Sequence, residues 1–303
     1  MSTVLDAFSA DGAWYRGNCH LHSTNSDGRL SPQEAADLYH EQGYHFLAIS
    51  DHWRRTDPSE VDPPDNFLMV PAEEIGGYTE ADDLGWHAVG LFLEREVEKT
   101  IDQPVQWGVD ALREAGGDVV LAHPRWIGML VHQILPVDGL LGIEIFNSLC
   151  ERGQGRGHAL FHWDALWHAG RRPWGFAVDD THTWAFDGVS GWIMVKAPEL
   201  SLDALRTAIR AGHFYASTGP EIHEIAIADG DVTVRCSPCE IVRVQSNQWM
   251  GKTAYAAAER RGPGHPLTEV TLPYNKSSTF VRVTCTDAAG NSAWSNPVDL
   301  TQD

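Results

Sequence analysis

A change of pattern along the chain restricts the fold more than any other feature. Up to Gly219, short apolar runs alternate with stretches of helical periodicity; after Gly219 and Pro220 only short β patterns remain, separated by Gly, Pro, Asn and Asp. In the first part Phe46–Ile49, Val119–Ala122, Gly142–Phe146, Gly175–Val178 and Trp192–Val195 read as strands. Residues 105–115, 158–169 and 202–211 read as helices in the intervals. One more helix has both ends marked: Ser31 as N-cap, Pro32 as first helical residue, Glu34 completing a capping box, and Gly43 as the stop. Parallel strands need crossover helices, so repeated strand and helix units imply a mainly parallel sheet or a barrel. In the last part 222–228, 232–236, 241–245, 269–272 and 280–286 predict a small antiparallel β-sandwich of immunoglobulin or fibronectin type. The expected division is therefore 1–219 and 220–303.

The chain carries 22 Lys and Arg against 42 Asp and Glu, a formal charge of −20. That balance opposes a polyanionic partner, so a nucleic acid polymer is not expected. Residues 1–13 show neither a basic start nor an apolar run of membrane length, which predicts a cytoplasmic protein with no membrane contact. The five cysteines are scattered and odd in number; Cys236 and Cys239 have CxxC spacing but no second Cys or His pair nearby in sequence, and read as structural.

The candidate chemistry lies where the predicted strands end. His20 and His22 sit at i and i+2, a spacing that on a strand turns both imidazoles to one face. Asp27 follows, then Asp51 and His52 at the next strand end, Glu74, His87, His123 before Pro124, and Asp180 with His182, again at i and i+2. Any one of these alone is an ordinary core or surface residue. Together, each just after a separate apolar strand, they would meet at one rim of a parallel barrel, where the catalytic groups of that architecture sit. A binding module without catalysis has no need of so many polar side chains at one rim.

The segments 17–28 (His20, His22, Asp27), 49–52 (Asp51, His52), 72–75 (Glu74), 122–124 (His123) and 178–182 (Asp180, His182) resemble, in this order, the motifs of the PHP (polymerase and histidinol phosphatase) superfamily. The resemblance implies an α/β fold with a distorted (β/α)7 barrel. It also implies two or three divalent metal ions (Mn, Fe or Zn) on His20, His22, Asp27, His52, Glu74, His87, His123, Asp180 and His182, with Glu73 as the alternative to Glu74. Residues 212–220 and the C-terminal strands resemble the carbaryl hydrolase (CehA/McbA) branch.

The expected activity is metal-dependent hydrolysis of a small phosphomonoester or phosphodiester. A carbamate or carboxyl ester is the alternative substrate and a noncatalytic binding protein the third reading. Paired cations lower the pKa of a water between them and polarise the ester. Asp180, His123 and His182 are the catalytic candidates, the two histidines as general acid, and Asp51 is expected to orient a neighbouring histidine. Arg125, Asn147, Arg156, His158, Trp184 and Tyr215 are the candidates for substrate contact.

Overall fold

The computed structural model describes residues 3–4, 6–79, 84–100, 102–256 and 265–301. Ten strands precede residue 219: β1 (Thr3–Val4), β2 (Ala13–Asn18), β3 (Phe46–Ile49), β4 (Leu68–Thr79), β5 (Leu84–Leu91), β6 (Asp118–Leu121), β7 (Leu140–Asn147), β8 (Trp174–Val178), β9 (Trp192–Ala197) and β10 (Phe214–Ser217). Eight follow: β11 (Ile222–Ala228), β12 (Asp231–Cys239), β13 (Ile241–Gln245), β14 (Gly251–Tyr255), β15 (Leu267–Pro273), β16 (Phe280–Thr286), β17 (Ser292–Ser295) and β18 (Val298–Asp299).

From β2 to β8 the strands lie side by side in chain order. Pairing is parallel at β2–β3, β3–β4, β6–β7 and β7–β8, and antiparallel on both sides of β5. Beyond β8 the chain returns to the start of this series. Asp180 N donates to His20 O at 2.8 Å and His22 N to Thr181 O at 2.9 Å, and Leu21 and Thr181 form a parallel bridge. Alternate residues of successive strands, Phe46 and Ala48, Val70 and Ala72, Val89 and Leu91, Phe176 and Val178, form one buried cluster. Two glycines make room in it: a Cβ on Gly17 would lie 2.1 Å from the Phe46 ring, and one on Gly142 2.3 Å from that of Phe176. Each buried phenylalanine is worth roughly 2–3 kcal/mol.

Helix Pro32–Glu41 is capped as its sequence predicts. Ser31 Oγ accepts from Glu34 N, Glu34 Oε2 accepts from Ser31 N at 2.8 Å, and Gly43 takes φ +78°. The helix lays Ala35, Ala36 and Tyr39 over Leu47, Ile49 and Met69. Helices Val105–Glu114, Leu160–His168 and Leu202–Arg210 lie within the predicted ranges.

One expectation needs correction. Glu74 and His87 do not follow separate parallel strands: they lie inside β4 and β5, which pair antiparallel with Glu74 opposite Val89 and His87 opposite Gly76. Pro71 and the pair Gly76 and Gly77 disguise β4 as loop, because such residues weaken a strand interior. The structure shows why the glycines are there. A Cβ on Gly76 would meet His87 Cδ2 at 2.4 Å, and one on Gly77 the Trp86 ring at 2.9 Å.

Sheet pairing continues across residue 219. β10 pairs with β9 on one side and β17 on the other, so one mixed sheet runs from β14 through β13, β16, β17, β10 and β9 to β2 and on to β8. A second, antiparallel sheet has the order β1-β11-β12-β15. Ile225, Val232 and Val234 of that sheet share a buried cluster with Val242, Val244 and Val283 of the first.

Candidate metal centre

His20 and His22 leave the end of β2 on one face, their Nε2 atoms 3.2 Å apart. Asp180 Oδ1 lies 3.2 Å from each. Glu74 Oε2 lies 3.4 Å from His20 Nε2 and 3.2 Å from His22 Nε2. Glu74 is the hub: Oε1 is 2.9 Å from His87 Nδ1 and 3.1 Å from His123 Nε2, and Oε2 is 3.1 Å from His52 Nδ1. An outer group forms around Asp27, with Oδ1 3.4 Å from His22 Nδ1, and Oδ2 3.4 Å from His182 Nε2 and 3.8 Å from His52 Nε2. All nine candidates therefore meet in one cluster. Their donor atoms form four overlapping sets: His20 with His22 and Asp180; His20 with Glu74 and His123; His52 with Glu74 and His87; and His22 with Asp27, His52 and His182.

Glu73 points the other way. It is buried, and its Oε1 accepts from Val97 N at 2.9 Å, which leaves Glu74 as the cluster's carboxylate.

The residues fit divalent cations on an observation of their own. Asp180 Oδ1 is buried with two imidazole nitrogens at contact distance, yet makes no hydrogen bond of acceptable geometry, and His123 Nδ1 is buried and unpartnered. Lone pairs facing each other in a dry site need a shared positive charge. Without a metal ion, protons supply it. Burial alone would lower the pKa of His20, but Asp180, Glu74 and Glu144 raise it well above the ordinary histidine value. His22 is likewise raised to about 9, its burial outweighed by Asp180 and Glu74. His87 is raised by Glu74 against the pull of burial, whereas in His52 burial wins and the value falls. The carboxyls of Glu74 and Asp180, despite burial, are held well below the usual range by the surrounding histidines.

Strained backbone accompanies the cluster. His123 has φ +26° and Asp180 φ +57°, conformations costing on the order of 1–3 kcal/mol for a non-glycine residue. Hydrogen bonds hold both, from Asp180 N to His20 O and from His123 N to Glu144 Oε2 at 2.9 Å.

Glu144, absent from the sequence candidates, supports much of this arrangement. Its Oε1 lies 2.6 Å from His20 Nδ1, and its Oε2 also accepts from Asn147 Nδ2 at 2.9 Å. Its signal was a carboxylate at a fully buried position in the apolar run Gly142–Phe146. Asp179, also missed, accepts from Tyr39 Oη at 2.8 Å and from the amides of Val189, Ser190 and Gly191, fixing the turn that presents Asp180. Asp51 orients no histidine. It accepts from Ser23 N, Ser23 Oγ, Ser26 Oγ and Thr56 Oγ1 at 2.6–2.7 Å, and so shapes the loop carrying Asp27.

The substrate candidates divide by placement. Asn147 is buried beside the cluster, where Nδ2 also donates to Asp180 Oδ2 at 3.1 Å; it positions ligands and has no surface to offer a substrate. Arg125 and Arg156 are exposed, and Arg125 Nη1 donates to His158 O at 3.1 Å. His158 packs on the Phe146 and Trp294 rings at 5.1 and 6.1 Å. Trp184 stands edge-on to Tyr39 at 5.2 Å. Tyr215 is buried against Phe8 and Trp14, away from the cluster, because β10 turns it toward the second sheet's core. The sequence reading passed over Trp126, whose ring lies 5.1 Å from that of His123 and 6.5 Å from that of His87.

No family model and no curated protein matches the sequence. Among solved structures, the chain is similar to a two-domain protein from Bacteroides vulgatus containing a predicted PHP-like metal-dependent phosphoesterase, with 14% identity, 91% of each chain covered and a TM-score of 0.52. A Bifidobacterium adolescentis protein described as a candidate metal-dependent phosphoesterase aligns over 57% of this chain and 88% of its own, with 14% identity and a TM-score of 0.44. An amidohydrolase from Chromobacterium violaceum, with bound sulfate and no metal, aligns over 65% of this chain and 96% of its own, with 15% identity and a TM-score of 0.46. Over nine tenths of its length, then, the chain shares its fold with that two-domain protein.

Proposed function

We propose that the protein is a metal-dependent hydrolase of the PHP type, acting on a small phosphomonoester or phosphodiester. One observation carries the reading: Glu74 presents its two oxygens to five imidazoles, an arrangement suited to a carboxylate shared between neighbouring cations. The fold shared with the Bacteroides vulgatus protein supports it. In this reading β2–β8, closed by the hydrogen bonds from Asp180 N to His20 O and from His22 N to Thr181 O, form the distorted seven-stranded barrel, and β11–β18 belong to the sandwich. The finer placement near the carbaryl hydrolases rests on residues 212–220 and the C-terminal strands. A small-molecule substrate and a cytoplasmic location belong to the proposal, the first supported by the charge of −20.

His20, His22, Glu74 and Asp180 would hold the most buried ion, Glu74 with His87 and His123 a second, and Asp27, His52 and His182 would complete the cluster. When bound, such ions supply Lewis acidity toward water and toward the ester oxygen. The protein's own part is to place and move protons. His182 Nδ1 lies 2.9 Å from the Asp180 carbonyl oxygen and donates to it, which leaves Nε2 turned to the solvent side beside Asp27. His123 is buried with Nε2 committed to Glu74. Of the two, His182 is the group able to pass a proton to a departing oxygen, in the state where its Nε2 holds a proton and no ion.

The test is a screen of nitrophenyl phosphates, phosphodiesters and naphthyl carbamates, run with and without chelator, with metal content measured on the same sample. Phosphate ester turnover that disappears on chelation and returns with Mn or Zn is the expected result. Carbamate turnover alone would move the protein to the ester alternative, and a metal-loaded sample inert toward all three would end the hydrolase reading.

A further inference from the structure

Cys236 and Cys239 stand three apart on β12, a spacing that in a regular strand sends side chains to opposite faces. Here both are buried. The reason is a bulge: Arg235 is opposite Glu269 and Cys239 opposite Leu267, so four residues of β12 pass two of β15. The bulge holds Pro238, which has no N–H to lose, and is pinned where Ser237 N donates to Glu221 O at 2.9 Å and Ser237 Oγ accepts from Glu221 N at 2.9 Å. Regular alternation lapses over these residues, exposed Pro238 taking the place of an inward one, and both thiols are buried in the core. Cys285 reaches them from β16 in the facing sheet. The three sulfurs lie within 4.8 Å of one another, all buried, and among the described residues no His, Asp or Glu ligand atom joins them.

We propose that these three cysteines form a second metal site, one for a soft d10 cation and by its coordination number for Cu(I). Sulfurs on one ion stand roughly 4 Å apart when the metal–sulfur distance is about 2.3 Å, a spacing within what the cluster already shows. Zinc in structural sites takes four ligands, whereas thiolates without hard donors favour Cu(I). The surroundings, Ile222, Val234, Val242, Val283 and Leu267, supply no water as a fourth ligand. The Leu267 carbonyl oxygen, 3.8 Å from Cys236 Sγ, is a hard donor with little affinity for such an ion. Each S–H replaced by an S–Cu bond releases its proton to solvent, and copper remains Cu(I). The ion would tie β12 to β16, and with them the two facing sheets.

The test uses the full chain, reduced, stripped with EDTA and titrated anaerobically with Cu(I) buffered by bicinchoninate. Expected are one equivalent bound with ultraviolet thiolate-to-copper absorption, which the His and carboxylate cluster cannot produce, and a melting temperature raised by several degrees. Cys285→Ala should lose the band and weaken Cu(I) at least tenfold, while taking up Mn, in a separate titration, as the unmutated protein does. X-ray absorption on the unmutated protein gives a check independent of variant folding: a sulfur-only shell of about three atoms is expected. A nitrogen or oxygen shell, no band in the folded protein, or a band that persists in Cys285→Ala overturns the proposal.

Discussion

Replacing Glu144 by Gln leaves the shape of β7 intact but puts an amide where one of two working oxygens stood. Glu144 serves His20 Nδ1 with one oxygen and the His123 and Asn147 N–H groups with the other, and a Gln cannot accept at both ends. Partners of this kind fix the tautomer and basicity of a ligating imidazole. Glu144→Gln should therefore bind Mn or Zn about 10 to 100 times more weakly, as read by chelator competition, with the fold unchanged by circular dichroism. His45 makes a second point at this scale. Burial lowers its pKa, and its Nδ1 accepts from Arg16 N at 3.0 Å, so the folded state prefers the neutral ring. Below the unfolded value of about 6.5 the unfolded chain binds more protons than the folded one, so this contribution to stability is present at higher pH and is lost as the pH falls. The stability advantage of the wild type over His45→Gln should narrow between about pH 7.5 and 5.5 in thermal melts; a constant advantage would contradict the account.

At the scale of elements, β4 and β5 show both what the sequence discloses and where it stops. The helix Pro32–Glu41 was readable because its cap, first residue and stop are local signals. His20, His22, Asp180 and His182 were readable because each pair stands just beyond the end of an apolar strand, β2 or β8. β4 was not readable, because its Pro and Gly residues are explained only by partners: Pro71 by its place beside β3, Gly76 by His87 across the ladder. Glu144 left one local signal, a carboxylate inside an apolar run, but its role became visible only once His20 and His123 reach it. The Gly76 contact gives a prediction: in Gly76→Ala the new methyl group displaces the His87 ring, which must leave Glu74 Oε1. The variant should lose roughly 1–2 kcal/mol of stability and about tenfold in affinity at the ion site shared by His52, Glu74 and His87, read by metal titration and chemical denaturation. An unchanged titration would show that His87 contributes no ligand.

For the whole molecule, the question is whether the parts before and after residue 219 behave as separate units. The sheet runs across the junction at β9, β10 and β17. Arg282 of β16 is buried and bonds Asp164 of helix Leu160–His168 at 2.7 and 2.8 Å, Asn296 bonds Gly175 N and Phe214 O, and Phe280 and Trp294 enter the cluster around Trp163 and Trp167. These contacts predict one cooperative calorimetric transition. Arg282→Ala should lower stability by roughly 2–4 kcal/mol, less than for a fully enclosed pair because Asp164 keeps access to water. Two well-separated peaks in the wild type would show the junction to be weak.

The same junction looks different when followed in time. The ribosome delivers β9 and β10 long before β17, so the nascent chain spends that interval with the outer edge of β10 lacking its hydrogen-bond partner and Trp167 lacking Phe280. An open strand edge beside uncovered aromatics is what holdase chaperones and proteases recognise. Nascent chains arrested before β16 should be cut readily by protease and become resistant only once Ser292–Ser295 has cleared the exit tunnel, so β2–β10 acquire their protection from strands made well after them.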